Sequence, residues 1–118
     1  MDITQFQKVN EERAKRWHQD SEPWSLLEWS GAMCGESGEA ANFAKKIKRI
    51  HQKLPNFKMG LATDKLNELN QSLAKEVADS IIYGLIILSK LDMDASEVIA
   101  DVYDQKSIEY GFPERAPR

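Results

Sequence analysis

From Val77 to Leu91 the chain reads VADSIIYGLIILSKL, and no other stretch restricts its possible folds as much. At about 100° per residue, Val77, Ala78, Ile81, Ile82, Leu85, Ile86, Ile87, Leu88 and Leu91 cover most of a helical circumference. A helix that is apolar nearly all round has to be buried nearly all round. The chain has 118 residues, enough for one modest core in a single domain over 1–118. A monomer of that size rarely encloses such a helix, so we expect a homo-oligomer with this helix in the subunit interface. The run is not a membrane span. Its longest apolar stretch, Ile81 to Leu88, is broken by Gly84 and falls well short of the roughly 20 residues a bilayer requires.

The rest of the chain reads as helix too, with no useful strand-like alternation. A first helix is expected from Asp2 to His18, with Ile3, Phe6, Val9 and Ala14 as its apolar positions. A second starts at Ser25, where Ser25 and Glu28 have capping-box spacing, and runs to Ile50. His51 to Thr63, with Pro55 and Gly60, reads as a loop. Thr63 or Asp64 then caps a third helix that ends at Leu91. Asp94 caps a fourth, with Glu97 in the favoured third position, and Gly111 followed by Pro113 ends it at Tyr110. Four amphipathic helices with short links make an all-α four-helix bundle the economical fold.

Charge and composition remove several functional classes. Sixteen basic and 19 acidic residues leave a net charge of −3, the wrong sign for a general nucleic-acid binder. The polar, charged N-terminal stretch is no signal peptide. We expect a cytoplasmic protein that engages neither nucleic acid nor membrane. The single Cys34 allows no internal disulfide and reads as a small buried side chain, while His18 and His51 leave little room for zinc chemistry.

Two acidic pairs do not suit a core. Glu36 and Glu39 stand three apart in the second helix, and Glu76 and Asp79 three apart in the third. Such residues are neighbours on a helix surface, close enough to share an ion. Gly35 and Gly38 flank the first pair and permit close approach of a helix or ligand. The second pair fills the polar arc of the apolar helix. Buried carboxylates need partners. Lys45, Lys46, Lys48 and Arg49 are nearby cations, and a divalent ion is the alternative. Four carboxylates form a hard oxygen site suited to Mg²⁺ or Mn²⁺. A di-iron bundle wants Glu-x-x-His twice, and neither histidine here follows an acid by three.

The segments Gly35-Glu-Ser-Gly-Glu-Ala-Ala41 and Lys75-Glu-Val-Ala-Asp-Ser-Ile-Ile-Tyr83 resemble the MazG-like family of all-α nucleoside triphosphate pyrophosphohydrolases. The family signature is Glu-x-x-Glu followed by Glu-x-x-Asp on the next helix, and the likeness extends from the Trp24 region through Gly111-Phe-Pro-Glu-Arg115. The resemblance implies Mg²⁺-dependent cleavage of a nucleoside triphosphate between its α- and β-phosphates, giving a monophosphate and pyrophosphate. It implies a dimer or tetramer, a role in nucleotide-pool house-cleaning or phage modulation, and Glu36, Glu39, Glu76 and Asp79 as metal ligands. The sequence departs from the common pattern at Gly35, where many members carry a second Glu. It departs again in a longer segment around Lys53 to Thr63, and at Asp104, where members often offer Asn.

The chemistry is consistent with that likeness. Phosphoanhydride hydrolysis needs charge neutralisation, an activated water and in-line positioning. A carboxylate not fully engaged with metal, Glu36 or Glu39, can take the water's proton. Trp29, seven residues before Glu36, and Trp24, before the cap, are candidates for stacking on a base, or else packing residues. Tyr83 shares the face of Glu76 and Asp79, and Lys46 with Arg49 could hold the outer phosphates. The run KKIKR is otherwise a solvated face. Lys106 and Tyr110 of the fourth helix could reach the site, and His18 reads as a helix cap. The competing reading is a non-catalytic helical interaction module that uses the same acids in salt bridges.

Overall fold

A computed structural model describes residues 1–53 and 59–118, with side chains in the second stretch from Thr63 onward. All secondary structure among the described residues is helical: α1 (Ile3–Trp17), α2 (Leu26–Lys53), α3 (Met59–Lys90) and α4 (Ala95–Tyr110). None of these helices is long and apolar enough to cross a membrane. The chain divides into two compact units, one formed by 1–26 with 85–118 and the other by 27–84. Helix α3 contributes to both.

Local chemistry sets most helix ends. The Asp2 carboxylate accepts from the Gln5 amide at 3.1 Å and caps α1. His18 is the C-cap of the same helix, with its amide donating to the carbonyls of Lys15 and Arg16. Asp94 accepts from the Glu97 amide at 3.2 Å and opens α4, as its position in the sequence suggests. Gly111 ends α4 in the left-handed region at φ 73°. There the Phe112 amide donates to the Ser107 carbonyl at 2.8 Å and the Gly111 amide to Ile108 at 3.2 Å, a Schellman closure. Helix α3 closes the same way without glycine. Asp92 takes φ 56°, donating to Ser89, while Met93 donates to Leu88, both at 3.0 Å. Aspartate tolerates that conformation better than most residues.

The expected loop from His51 to Thr63 is corrected at both ends. Helix α2 continues through His51, Gln52 and Lys53, and α3 begins at Met59, so Thr63 and Asp64 lie inside a helix and do not cap it. Gln and Lys propagate helix well, and one glycine costs only about 1 kcal/mol against alanine. A helix of 32 residues absorbs that cost. Residues 54–58 of the expected loop lie outside the described residues.

In the first unit, α1 contacts α4. The face that α1 buries is Gln7, Asn10 and Ala14, while Val9 is 65% exposed and belongs to the opposite side. The Gln7 amide forms the joint. Its Nε2 donates to the Met93 carbonyl at 2.8 Å, and its Oε1 accepts from the Ala95 amide at 2.9 Å. One side chain thereby satisfies both the link after α3 and a free donor in the first turn of α4. Helix α4 buries only small residues, Ala95, Ala100 and Ser107, and exposes Ile99, Val102 and Tyr103. Beyond it, the Asp104 carboxylate accepts from the Ala116 amide at 2.7 Å and from Arg118 at 3.0 Å. Those bonds, the backbone one foremost, hold its carboxyl below the ordinary aspartate value.

In the second unit, α2 turns Trp29 inward, 3% exposed, with Met33, Glu36 and Ala40 half-buried along the same line. Cys34 is exposed, correcting the expectation that it is buried. Five residues on from Trp29 it points about 140° away from that line. The described residues do not fully cover the apolar circumference of α3: Leu69 is buried in this unit, and Leu85 and Ile86 in the first, while Val77 and Ile81 are 46% and 55% exposed.

The joint at Gln7 gives a direct test. Gln7→Leu leaves the buried Ala95 amide and the part-buried Met93 carbonyl without the Gln7 side chain, at a cost of about 1 to 3 kcal/mol. Urea unfolding should show that loss in the midpoint with an unchanged slope. A midpoint equal to that of the parent chain would mean the two bonds contribute nothing.

Candidate metal centre

The second unit brings three of the four signature acids together. One carboxylate oxygen from each of Glu36, Glu76 and Asp79 lies within 4.8 Å of the others. Glu39, one turn on from Glu36, is exposed and outside that converging set. The reason is angular. Two residues three apart on a helix diverge by about 60°, so only one of them points straight at a neighbouring helix.

The neighbourhood fixes how α2 and α3 meet at this point. Ser80 donates to the Glu76 carbonyl at 2.9 Å, which leaves its oxygen to accept from Ser37 at 3.2 Å. The hydroxyl pair joins the two helices beside the acids. Trp29 and Tyr83 meet with ring centroids 5.8 Å apart. A Cβ added at Gly84 would lie 3.5 Å from the Met33 sulfur, so the helices run close there. Glu36 and Glu76 are therefore held against each other by packing on both sides.

Electrostatically the cluster is short of positive charge. Glu76 is only 13% exposed. Its Oε1 lies 3.6 Å from the Lys75 ammonium, and its Oε2 is fully buried with no hydrogen-bond donor. Lys75 is closer to Asp79, at 2.9 Å. The Glu36 carboxyl is pushed above its ordinary value, first by a shared hydrogen bond with Glu76, then by burial and the charges of Glu76 and Asp79, against the pull of Lys75. Lys75 in turn is raised by its bond to Asp79 and by the charges of Asp79 and Glu76. The cations expected beside the acids were Lys45, Lys46, Lys48 and Arg49, and the ion pairs of the cluster come instead from Lys75. A lysine four residues before an aspartate is the sequence signal for it.

A divalent ion fits this donor set. Oxygens sharing one Mg²⁺ lie at most about 4.2 Å apart, twice the bond length of about 2.1 Å, so the carboxylates stand a small side-chain adjustment from a common ion. All three are hard donors, and the orphaned Glu76 oxygen requires a proton or a cation.

The other sequence candidates are distributed as follows. Tyr83 is half-buried against Trp29, whose own burial leaves its indole little exposed face. Lys46 and Arg49 are exposed farther along α2, with the Lys46 ammonium 5.3 Å from the centre of the Phe43 ring. Trp24 and Lys106 belong to the first unit. There Trp24 is 37% exposed beside the His18 ring, and Lys106 pairs with Glu109 at 3.5 Å. Exposed Trp17, with Arg13 5.1 Å from its ring centre, was not singled out from the sequence. Around Gly35 and Gly38 an added Cβ would meet nothing among the described residues within 4 Å.

Comparison with protein-family models, with curated proteins and with solved structures finds no match. The likeness to MazG-like hydrolases rests on the residues themselves.

The strain between Glu36 and Glu76 has a measurable sign. A carboxyl whose value is raised on folding binds protons more tightly in the folded chain, so stability rises as pH falls toward its ordinary value of 4.5. Glu36→Gln should therefore raise the melting temperature of the metal-free chain at neutral pH and flatten its response to pH. The same substitution should abolish stabilisation by Mg²⁺. A lower metal-free melting temperature would show that the two acids do not repel.

Proposed function

We propose that this chain is a divalent-cation-dependent nucleoside triphosphate pyrophosphohydrolase of the MazG-like kind, cleaving between the α- and β-phosphates. The observation that carries the proposal is the buried Glu76 oxygen without a donor, facing Glu36 and beside Asp79. The Lys75 ion pair reaches the other oxygen of Glu76 and leaves this one to a proton shared with Glu36 or to a cation.

In this reading Glu36, Glu76 and Asp79 hold Mg²⁺ or Mn²⁺. When bound, the ion neutralises phosphate charge and lowers the proton affinity of water. The chain supplies the rest. Glu39, exposed and outside the ion-holding set, accepts the proton of the attacking water. The anhydride bond then breaks in line, leaving a nucleoside monophosphate and pyrophosphate. Lys46 and Arg49 meet the outer phosphates as they bind and leave. Gly35 and Gly38 let the substrate approach the backbone of α2. Tyr83 anchors the acid-bearing face of α3, with Trp29 as its support.

The assembly proposed is a homo-oligomer, dimer or tetramer, that covers Val77 and Ile81 of α3. The biological role proposed is house-cleaning or modulation of nucleotide pools, in the cytoplasm. One observation favours the second reading, an interaction module: the same exposed apolar side chains, together with Leu27 at 81% exposure, could receive a different protein.

Pyrophosphate release across a panel of nucleoside and deoxynucleoside triphosphates with Mg²⁺ separates the two readings. The hydrolase reading expects release from at least one of them. Glu76→Gln should lose both activity and the Mg²⁺-induced rise in melting temperature. Glu39→Gln should keep the rise and lose about 10² to 10⁴ in rate. No release from any triphosphate, with no thermal response to Mg²⁺, would leave the module.

A further inference from the structure

We propose that Lys75 is a tethered counter-ion that occupies the acid cluster in place of the divalent ion and sets how tightly that ion binds. The inference rests on the ion site of the hydrolase reading and adds a determinant of its affinity.

The geometry is that of a competitor. The Lys75 ammonium lies 2.9 Å from Asp79 Oδ2 and 3.6 Å from Glu76 Oε1, touching two of the three converging carboxylates. Any ion shared by Glu36, Glu76 and Asp79 has to draw on those same two groups. An ammonium and a divalent cation cannot both sit among them, because like charges at that range repel strongly. Lys75 is also free to leave. Its side chain is 68% exposed, so the ammonium exchanges carboxylate for water without crossing any packed layer.

The exchange is unequal in a way the structure makes visible. With one charge and one position, Lys75 leaves Glu76 Oε2 unsatisfied in its buried place. A divalent ion brings twice the charge to all three acids. The lysine therefore softens the repulsion of the empty cluster without filling its demand. It yields to the ion at the cost of an exposed ion pair. Such pairs are weak, and the loss of one near the top of their range corresponds to a factor of about two to five in binding.

The test measures Mn²⁺ affinity on the full chain by titration of the free-ion paramagnetic resonance signal, without substrate. Lys75→Gln, with Lys75→Met as a second neutral variant, should bind Mn²⁺ about two to five times more tightly than the parent. The gain should shrink in 1 M KCl, where screening acts within about 3 Å. Lys75→Arg keeps the charge and should stay at or below parental affinity. Lys65→Gln changes net charge equally on the same helix, from its pair with Glu68, and should stay within about twofold of the parent. Parental or weaker affinity in both neutral variants, while Glu76→Gln still abolishes binding, overturns the role of Lys75 and leaves the ion site standing. Equal tightening in Lys65→Gln overturns it as a mere effect of net charge. No Mn²⁺ bound by any variant removes the ion site and the inference together.

Discussion

Two carboxylates brought together between α2 and α3 are the constraint on which the other features turn. Glu36 from α2 and Glu76 from α3 face each other with one buried oxygen lacking a donor. Unrelieved, such an arrangement costs free energy, and replacing it by apolar side chains of similar volume would usually stabilise a chain. Ser37, Ser80, Trp29 and Tyr83 hold α2 and α3 together around the pair, so the helices themselves do not move apart to relieve it. Strain kept by well-packed surroundings is characteristic of groups that wait for a ligand.

The brackets around the acids explain why the cluster keeps its shape. On one side the hydroxyl pair ties α2 to α3, and on the other Gly84 lets α3 approach Met33. The first is directional and fixes register, and the second sets separation. Together they hold the acids before any ion arrives, so little ordering remains to be done on binding. Lys75 acts within the same frame as a partial neutraliser whose exposed stem keeps it exchangeable.

Much of this was readable from residue types and spacing, and the rest had identifiable reasons for staying hidden. Asp94 and Gly111 act through bonds within a few residues of themselves, so their roles follow from local sequence. Asp92 closes α3 by the same backbone pattern, but an aspartate there carries no signal comparable to glycine. Gln7 was invisible because its partners, Met93 and Ala95, come from the far end of the chain. The spacing of Glu36, Glu76 and Asp79 announced a shared face, whereas it could not say which member of each pair points across. Glu39 falls outside for that angular reason. Lys75 carries no distinguishing signal, since a Lys four before an Asp is a common exposed pair. The ends facing 54–58 were misjudged because Pro55 and Gly60 punctuate strongly, while helix cooperativity carried α2 and α3 past the expected stops.

The glycines of α2 bear on the choice between hydrolase and module. Gly31, Gly35 and Gly38 lie within a helix, where each costs about 1 kcal/mol relative to alanine. A Cβ at any of them would meet nothing among the described residues within 4 Å. The packing of the described residues therefore gives no reason for them, and three alanines would favour the helix within that packing. A salt-bridged structural cluster has no use for a bare backbone beside it. A site that admits a bulky, highly charged ligand next to Glu39 does, because oxygen-rich groups can then approach the helix without meeting a side chain. A second chain packed closely on the same face would also account for the glycines, but it would not account for the orphaned carboxylate oxygen. A reading that brings a cation to Glu76 and a ligand along α2 uses both features at once, which is the ground on which the hydrolase is proposed.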